Sequence, residues 1–295
     1  MFWRGGRKDV MSRSFYQHLL RVEAHTREFT VKEFADCGLV AGDRLNVYKL
    51  TCECDNIHGS KDKLRSDSCN LGGVIPSNSS IRSLFLDGPA GRLEALLNEG
   101  SPQATHAALV CHPHPLYGGT LHNKVVFHTM KALNSFGFPV LRFNFRGTGL
   151  SQGEHDHGYG EVDDVRVALA WLEKNFRLPL IFSGFSFGAA VGLRAACDDS
   201  RVKAMIGLGI PVVPADERSY DFSFLHSCSQ PKLFVSGARD QFGPKAKLQE
   251  TVNSLPEPKK LVLVEGADHF FEGRLRELRD TIQAWVAETL QQNRI

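Results

Sequence analysis

The chain has 295 residues, 42% of them hydrophobic and 23% charged, with a formal net charge of +2 at neutral pH. That length and balance fit one large globular α/β domain or two small ones. The small charge gives no electrostatic basis for binding nucleic acid, and no run approaches the roughly 18 consecutive apolar residues of a membrane span.

The basic start MFWRGGRKDV lacks the apolar core and small-residue cleavage site of a secretory signal. Asp9, Glu23 and Glu28 weigh against an organelle transit peptide in the partly amphipathic stretch that follows. Seven cysteines, an odd number at irregular spacing, form no disulfide framework, so a reducing, cytoplasmic location is expected. Residues 1–80 are polar and aperiodic and read as a poorly structured extension, with HGSKDKLRSDSCNLGGVIPSNSS as its linker-like end. Two readings of that extension stand: a disordered or partner-binding segment, or a start assigned too early, with native translation beginning near Leu71 or Val74.

From Ile81 onward strands alternate with helices, and residues 81–295 read as one domain. SLFLDGPAGRLEALLNE is a hairpin around a Gly-Pro turn. ATHAALVCHPHP is a buried strand entering a proline-stiffened loop, and NKVVFHTMKALNSFG is a helix stopped at Gly137. FPVLRFNFRG, LPLIFSGFS, VKAMIGLGIPV, PKLFVSGARD and KKLVLVEGADH are strands; GYGEVDDVRVALAWLEKNF and FGAAVGLRAACD are helices. RLRELRDTIQAWVAETL closes the chain as an amphipathic helix with Leu275, Leu278, Ile282, Trp285 and Val286 on one face. This alternation predicts an α/β fold with a mostly parallel sheet covered on both faces, whose ligands bind beyond the carboxyl ends of the strands.

The chemistry-bearing segments fall at those ends. Gly184-Phe185-Ser186-Phe187-Gly188 joins a strand to a helix, and a serine at such a corner presents its hydroxyl at a helix N-terminus. A serine hydroxyl needs a base, and histidine oriented by a carboxylate supplies one at neutral pH. Asp240 follows one later strand and His269 the next, in the order nucleophile, acid, base. Asp268 is a second candidate acid, and each of these residues has a plain alternative as a turn or loop residue. Attack on a carbonyl needs two donors for the oxyanion. The backbone N–H of Phe187 is one candidate; the other is that of His114, because Pro113 and Pro115 have none.

HPHPLYGGTLHNKVV, FRGTGLSQGEHDHG, GFSFG, ARDQFGP and GADHFF together resemble the signature segments of an α/β-hydrolase fold serine hydrolase. The likeness is to the small, uncapped bacterial group around the dienelactone hydrolase-like enzymes and covers residues 81–295. It implies hydrolysis of a carboxylic ester or related acyl bond of a small-molecule substrate by Ser186, Asp240 and His269, with no cofactor. The chain departs from the dienelactone hydrolases in having serine rather than cysteine at the elbow. Two other uses of the fold fit the same segments: a catalytically silent binding scaffold, and a triad used for acyl transfer or perhydrolysis.

FRGTGLSQGEHDHG lacks the lysine pattern of a phosphate loop and reads as a structural loop held by Arg146. His155, Asp156 and His157, and His112 with His114, are too few for a two-metal hydrolase centre; Cys52, Cys54, His58 and Cys69 lack a zinc spacing. About twenty residues separate the IGLGIPV and PKLFVSG strands, room for a loop or one short helix but not a cap domain. The site is therefore expected to be open, with Leu116, Tyr117, Phe222 and Phe224 as apolar walls. Oligomeric state has no sequence signal.

Overall fold

The computed structural model describes residues 80–214 and 219–292. The expectations attached to residues 1–79 lie outside the described residues. The chain opens on an antiparallel hairpin, β1 (Ile81–Gly88) and β2 (Gly91–Asn98), turned at Pro89 and Ala90. It continues as β3 (Ala107–Cys111), α1 (Lys124–Asn134), β4 (Val140–Phe143), α2 (Tyr159–Phe176), β5 (Leu180–Phe185) and α3 (Phe187–Cys197). Then follow β6 (Val202–Leu208), β7 (Lys232–Gly237), α4 (Lys245–Asn253), β8 (Lys259–Val264) and α5 (Leu275–Gln291).

The eight strands form one sheet in the order β1-β2-β4-β3-β5-β6-β7-β8. β2 pairs antiparallel with β4, and every pair from β4 to β8 is parallel. The parallel strands are short apolar runs because both of their faces are covered. Along β5, Leu180 and Phe182 point to one face while Ile181 and Phe185 point to the other. The first face packs on Val165, Leu169 and Leu172 of α2, Leu193 of α3 and Leu248 and Val252 of α4. The second packs on Val126, Met130 and Leu133 of α1 and Leu278, Ile282, Trp285 and Val286 of α5. At about 1.5–3 kcal/mol per fully buried aliphatic side chain, the α5 stripe anchors the last element firmly.

Apolar periodicity alone does not reveal α4. Its KAKLQETVN sequence buries only Leu248 and Val252, one turn apart, so it shows too little contrast between its faces to read as a helix. The connection from β6 to β7 carries a single five-residue 3-10 turn, Ser223–Ser227, among the described residues. Cys197, closing α3, and Cys228, just past that turn, form a disulfide with their Cα atoms 5.3 Å apart. The irregular cysteine spacing gives no sign of this bridge, because its partners stand 31 positions apart.

Candidate active site

A single residue separates β5 from α3. Ser186 sits at φ 54, ψ −116, a left-handed backbone that costs a non-glycine residue about 1–3 kcal/mol. The corner is held by Ser186 N–H donating to Leu208 O at 2.9 Å, and by Ala189 and Ala190 N–H donating to Ser186 O at 3.0 Å each. The flanking glycines answer to close approach. A Cβ on Gly184 would fall 2.4 Å from the Gly188 carbonyl oxygen, and one on Gly188 would fall 2.4 Å from that of His112. The first turn of α3 thus packs directly on the end of β3.

Ser186 Oγ lies 3.0 Å from His269 Nε2, and His269 Nδ1 lies 2.8 Å from Asp240 Oδ2. Since the carboxylate only accepts, Nδ1 carries the ring proton and Nε2 accepts from the serine hydroxyl. Asp240 is buried and also accepts from Ser236 Oγ at 2.9 Å, Phe242 N–H at 2.8 Å and Gly243 N–H at 3.2 Å. Burial disfavours its charge, but the hydrogen bond and charge of His269, with the Phe242 and Ser236 donors, outweigh that and hold the carboxyl below its ordinary value. Asp268 turns away and accepts from Phe270 and Glu272 N–H, each at 3.0 Å. Three rings enclose the His269 imidazole: Phe242 at 4.7 Å, Phe185 at 5.0 Å and Phe270 at 5.2 Å between centroids. Sequence reasoning passed over all three, although each stands one or two places from Ser186, Asp240 or His269.

The loop after β3 carries the second expected donor. His114 is buried; its ring lies 4.7 Å from that of Phe187, 4.9 Å from that of Tyr117 and 4.9 Å from that of His155. Leu116 and Tyr117 belong to a 3-10 turn on the same loop, at 67% and 37% exposure. Leu116 edges a cavity of about 370 Å³ shared with Gly118, Thr148 and His155. Phe222 and Phe224 are placed differently. Phe222 is buried and lines a separate cavity of about 270 Å³ with Val212, Asp221 and Leu255. Phe224 packs under the Arg194 guanidinium at 4.6 Å, beside the C-terminal half of α3. Tyr220, which the sequence did not single out, stands 6.3 Å from Phe187 between ring centroids.

The glycine-rich loop after β4 is tied down as expected. Buried Arg146 donates from Nε and Nη2 to the Asp164 carboxylate at 3.0 and 2.8 Å, and from Nη2 to Gly160 O at 2.6 Å. His155 Nδ1 lies 2.9 Å from Glu161 Oε1, and the same buried carboxylate accepts from Asp156 and Gly158 N–H. The loop is therefore ordered by two buried carboxylates of α2.

Residues 117–293 match the family described as alpha/beta hydrolase domain. An uncharacterised protein of Rickettsia prowazekii is 36% identical over 218 residues, 71% of this chain and 90% of that protein. An alpha-beta serine hydrolase homologue from Coxiella burnetii is 36% identical with a TM-score of 0.64, covering 72% of this chain and 99% of its own. An α/β serine hydrolase without a lid from Xanthomonas campestris is 33% identical with a TM-score of 0.62, covering 74% and 97%.

Proposed function

Because the chain belongs to the alpha/beta hydrolase family, we propose that it cleaves a carboxylic ester or related acyl bond of a small to medium substrate through Ser186, His269 and Asp240. The observation that carries this reading is the continuous hydrogen-bonded line from Asp240 through His269 to Ser186, at 2.8 and 3.0 Å, ending at a strained corner on a helix N-terminus. His269 Nε2 takes the hydroxyl proton as Oγ attacks the acyl carbon. Asp240 holds the imidazole tautomer and balances the imidazolium. The N–H groups of Phe187 and His114 receive the oxyanion, where the α3 dipole also favours negative charge. The imidazolium then protonates the leaving alcohol. Water, deprotonated by the same nitrogen, attacks the acyl-enzyme and frees the acid and Ser186.

The test is intact-protein mass after a fluorophosphonate probe, with peptide mapping, for the wild type and Ser186→Ala. One adduct on Ser186, absent from the variant, together with loss of at least about 10³-fold in turnover of a short aryl ester, is expected. A folded wild type that takes no adduct, or a variant that keeps its turnover, overturns the reading.

A further inference from the structure

We propose that His112 is a positioning residue that aims an oxyanion donor; this rests on the hydrolase reading above. His112 is buried completely, beside the site but outside the Ser186–His269–Asp240 line. Its Nδ1 lies 2.6 Å from Pro113 O, and its Nε2 lies 3.0 Å from Phe145 N. A carbonyl oxygen can only accept and a backbone N–H can only donate, so the two contacts define one tautomer: Nδ1 protonated, Nε2 bare, the ring neutral. Burial presses the ring the same way, lowering its pKa to about 4, so one tautomer persists through the neutral range.

The gripped carbonyl matters because of the peptide it belongs to. Pro113 C=O and His114 N–H share one planar unit, and in a trans peptide they point in opposite directions. Fixing the carbonyl therefore fixes the donor. The imidazole is a strut: one end holds that peptide, and the other is anchored on the backbone just past β4. Gly119 closes on the same unit from another side. A Cβ there would fall 2.1 Å from Pro113 O, and its N–H donates to His114 O at 3.1 Å. Farther along the loop, Leu121 is pinned through its N–H to Asn144 Oδ1 at 2.8 Å and its C=O to Arg142 Nη1 at 3.0 Å. The loop is thus clamped at both ends. The contact of α3 on the His112 carbonyl at Gly188 sets the spacing to the Phe187 donor.

Three substitutions separate the ends of the strut. Asparagine keeps a donor near the Nδ1 position and loses the Phe145 link. Glutamine brings a carbonyl oxygen toward Phe145 N–H and loses the grip on Pro113. Phenylalanine keeps the shape and loses both. kcat and KM on a short aryl ester, affinity for a trifluoromethyl ketone that forms a tetrahedral adduct, and thermal unfolding are measured for each variant beside Ser186→Ala. Full loss of an oxyanion donor costs about 10²–10³-fold in kcat, so a misaimed one is expected to cost about 10–100-fold in His112→Gln and His112→Phe, with KM within about twofold. His112→Asn recovers most of kcat, and ketone affinity falls in step with kcat. If Ser186→Ala is inactive while His112→Gln and His112→Phe turn over at the wild-type rate, this inference fails alone. Equal losses of stability and kcat in all three His112 variants, with ketone affinity unchanged, also overturn it as a merely structural role. If Ser186→Ala stays active, the hydrolase reading fails and takes this proposal with it.

Discussion

Two adjacent strand ends offer His269 two aspartates, and side-chain direction decides between them. Asp240 turns inward under the imidazole, whereas Asp268 turns back to cap its own loop. An asparagine at 268 can cap the same two N–H groups, so Asp268→Asn is expected to keep kcat within about threefold. Asp240→Asn favours the wrong imidazole tautomer and is expected to cost about 10³–10⁴-fold in kcat at unchanged fold, read by ester turnover and circular dichroism. The same variant tests the electrostatics. The folded-state pKa of Asp240 lies below the ordinary 3.8, so its contribution to stability is present above pH 3.8 and is lost as pH falls through the lowered value. Urea midpoints taken from pH 6 to pH 3 should therefore fall more steeply for wild type than for Asp240→Asn; parallel slopes would contradict the coupling. Ser186, Asp240 and His269 are legible in the sequence because each follows an apolar strand at a turn. The sequence order favours Asp240, but Asp268 stays open beside it because both stand just past strands, and only side-chain direction separates them. In sequence, His112 reads only as a loop histidine or a weak metal candidate, because its partner Phe145 is 33 positions away.

At the scale of elements, periodicity exposes whatever buries a full face. Five of the six parallel strands, β3 to β7, and the α5 stripe are legible for that reason, and the β1–β2 hairpin through its Gly-Pro turn; α4, with two buried apolar residues, is not. Contacts across the sheet's connections are likewise invisible in sequence, and the Cys197–Cys228 bridge is the clearest case. It joins the C-terminal end of the helix that begins at the nucleophile to the β6–β7 connection, where Lys232 Nζ also donates to Cys228 O and Gln230 O at 2.8 Å each. Closing a loop across 31 positions removes chain entropy from the unfolded state worth about 3–4 kcal/mol. In a protein of this size that corresponds to roughly 10 °C. Cys197→Ser/Cys228→Ser is expected to unfold about that much lower than the oxidised wild type, and reduction of the wild type should reproduce the shift. Identical melting of the oxidised and reduced wild type would show that the bridge adds nothing.

At the scale of the whole molecule, the sheet order gathers the loops after β3, β4, β5, β7 and β8 at one edge, and among the described residues little stands over them. The β6–β7 connection has room only for its 3-10 turn among the described residues, and the rim residue Leu116 is 67% exposed. This geometry limits which acyl chains can gain from binding. A methylene stabilises the transition state by about 0.8 kcal/mol, or roughly fourfold in kcat/KM, only where protein covers it. An open rim covers the first few carbons and leaves the rest in water. In a series of aryl esters, kcat/KM should therefore rise from two to about six carbons by no more than roughly fourfold per carbon, then level or fall by twelve. With no cap among the described residues to displace, the rate should also show no jump where the ester begins to form micelles. A continued rise through long chains, or a step at the aggregation point, would mean that an apolar surface closes over the substrate, and would move the substrate class to lipids.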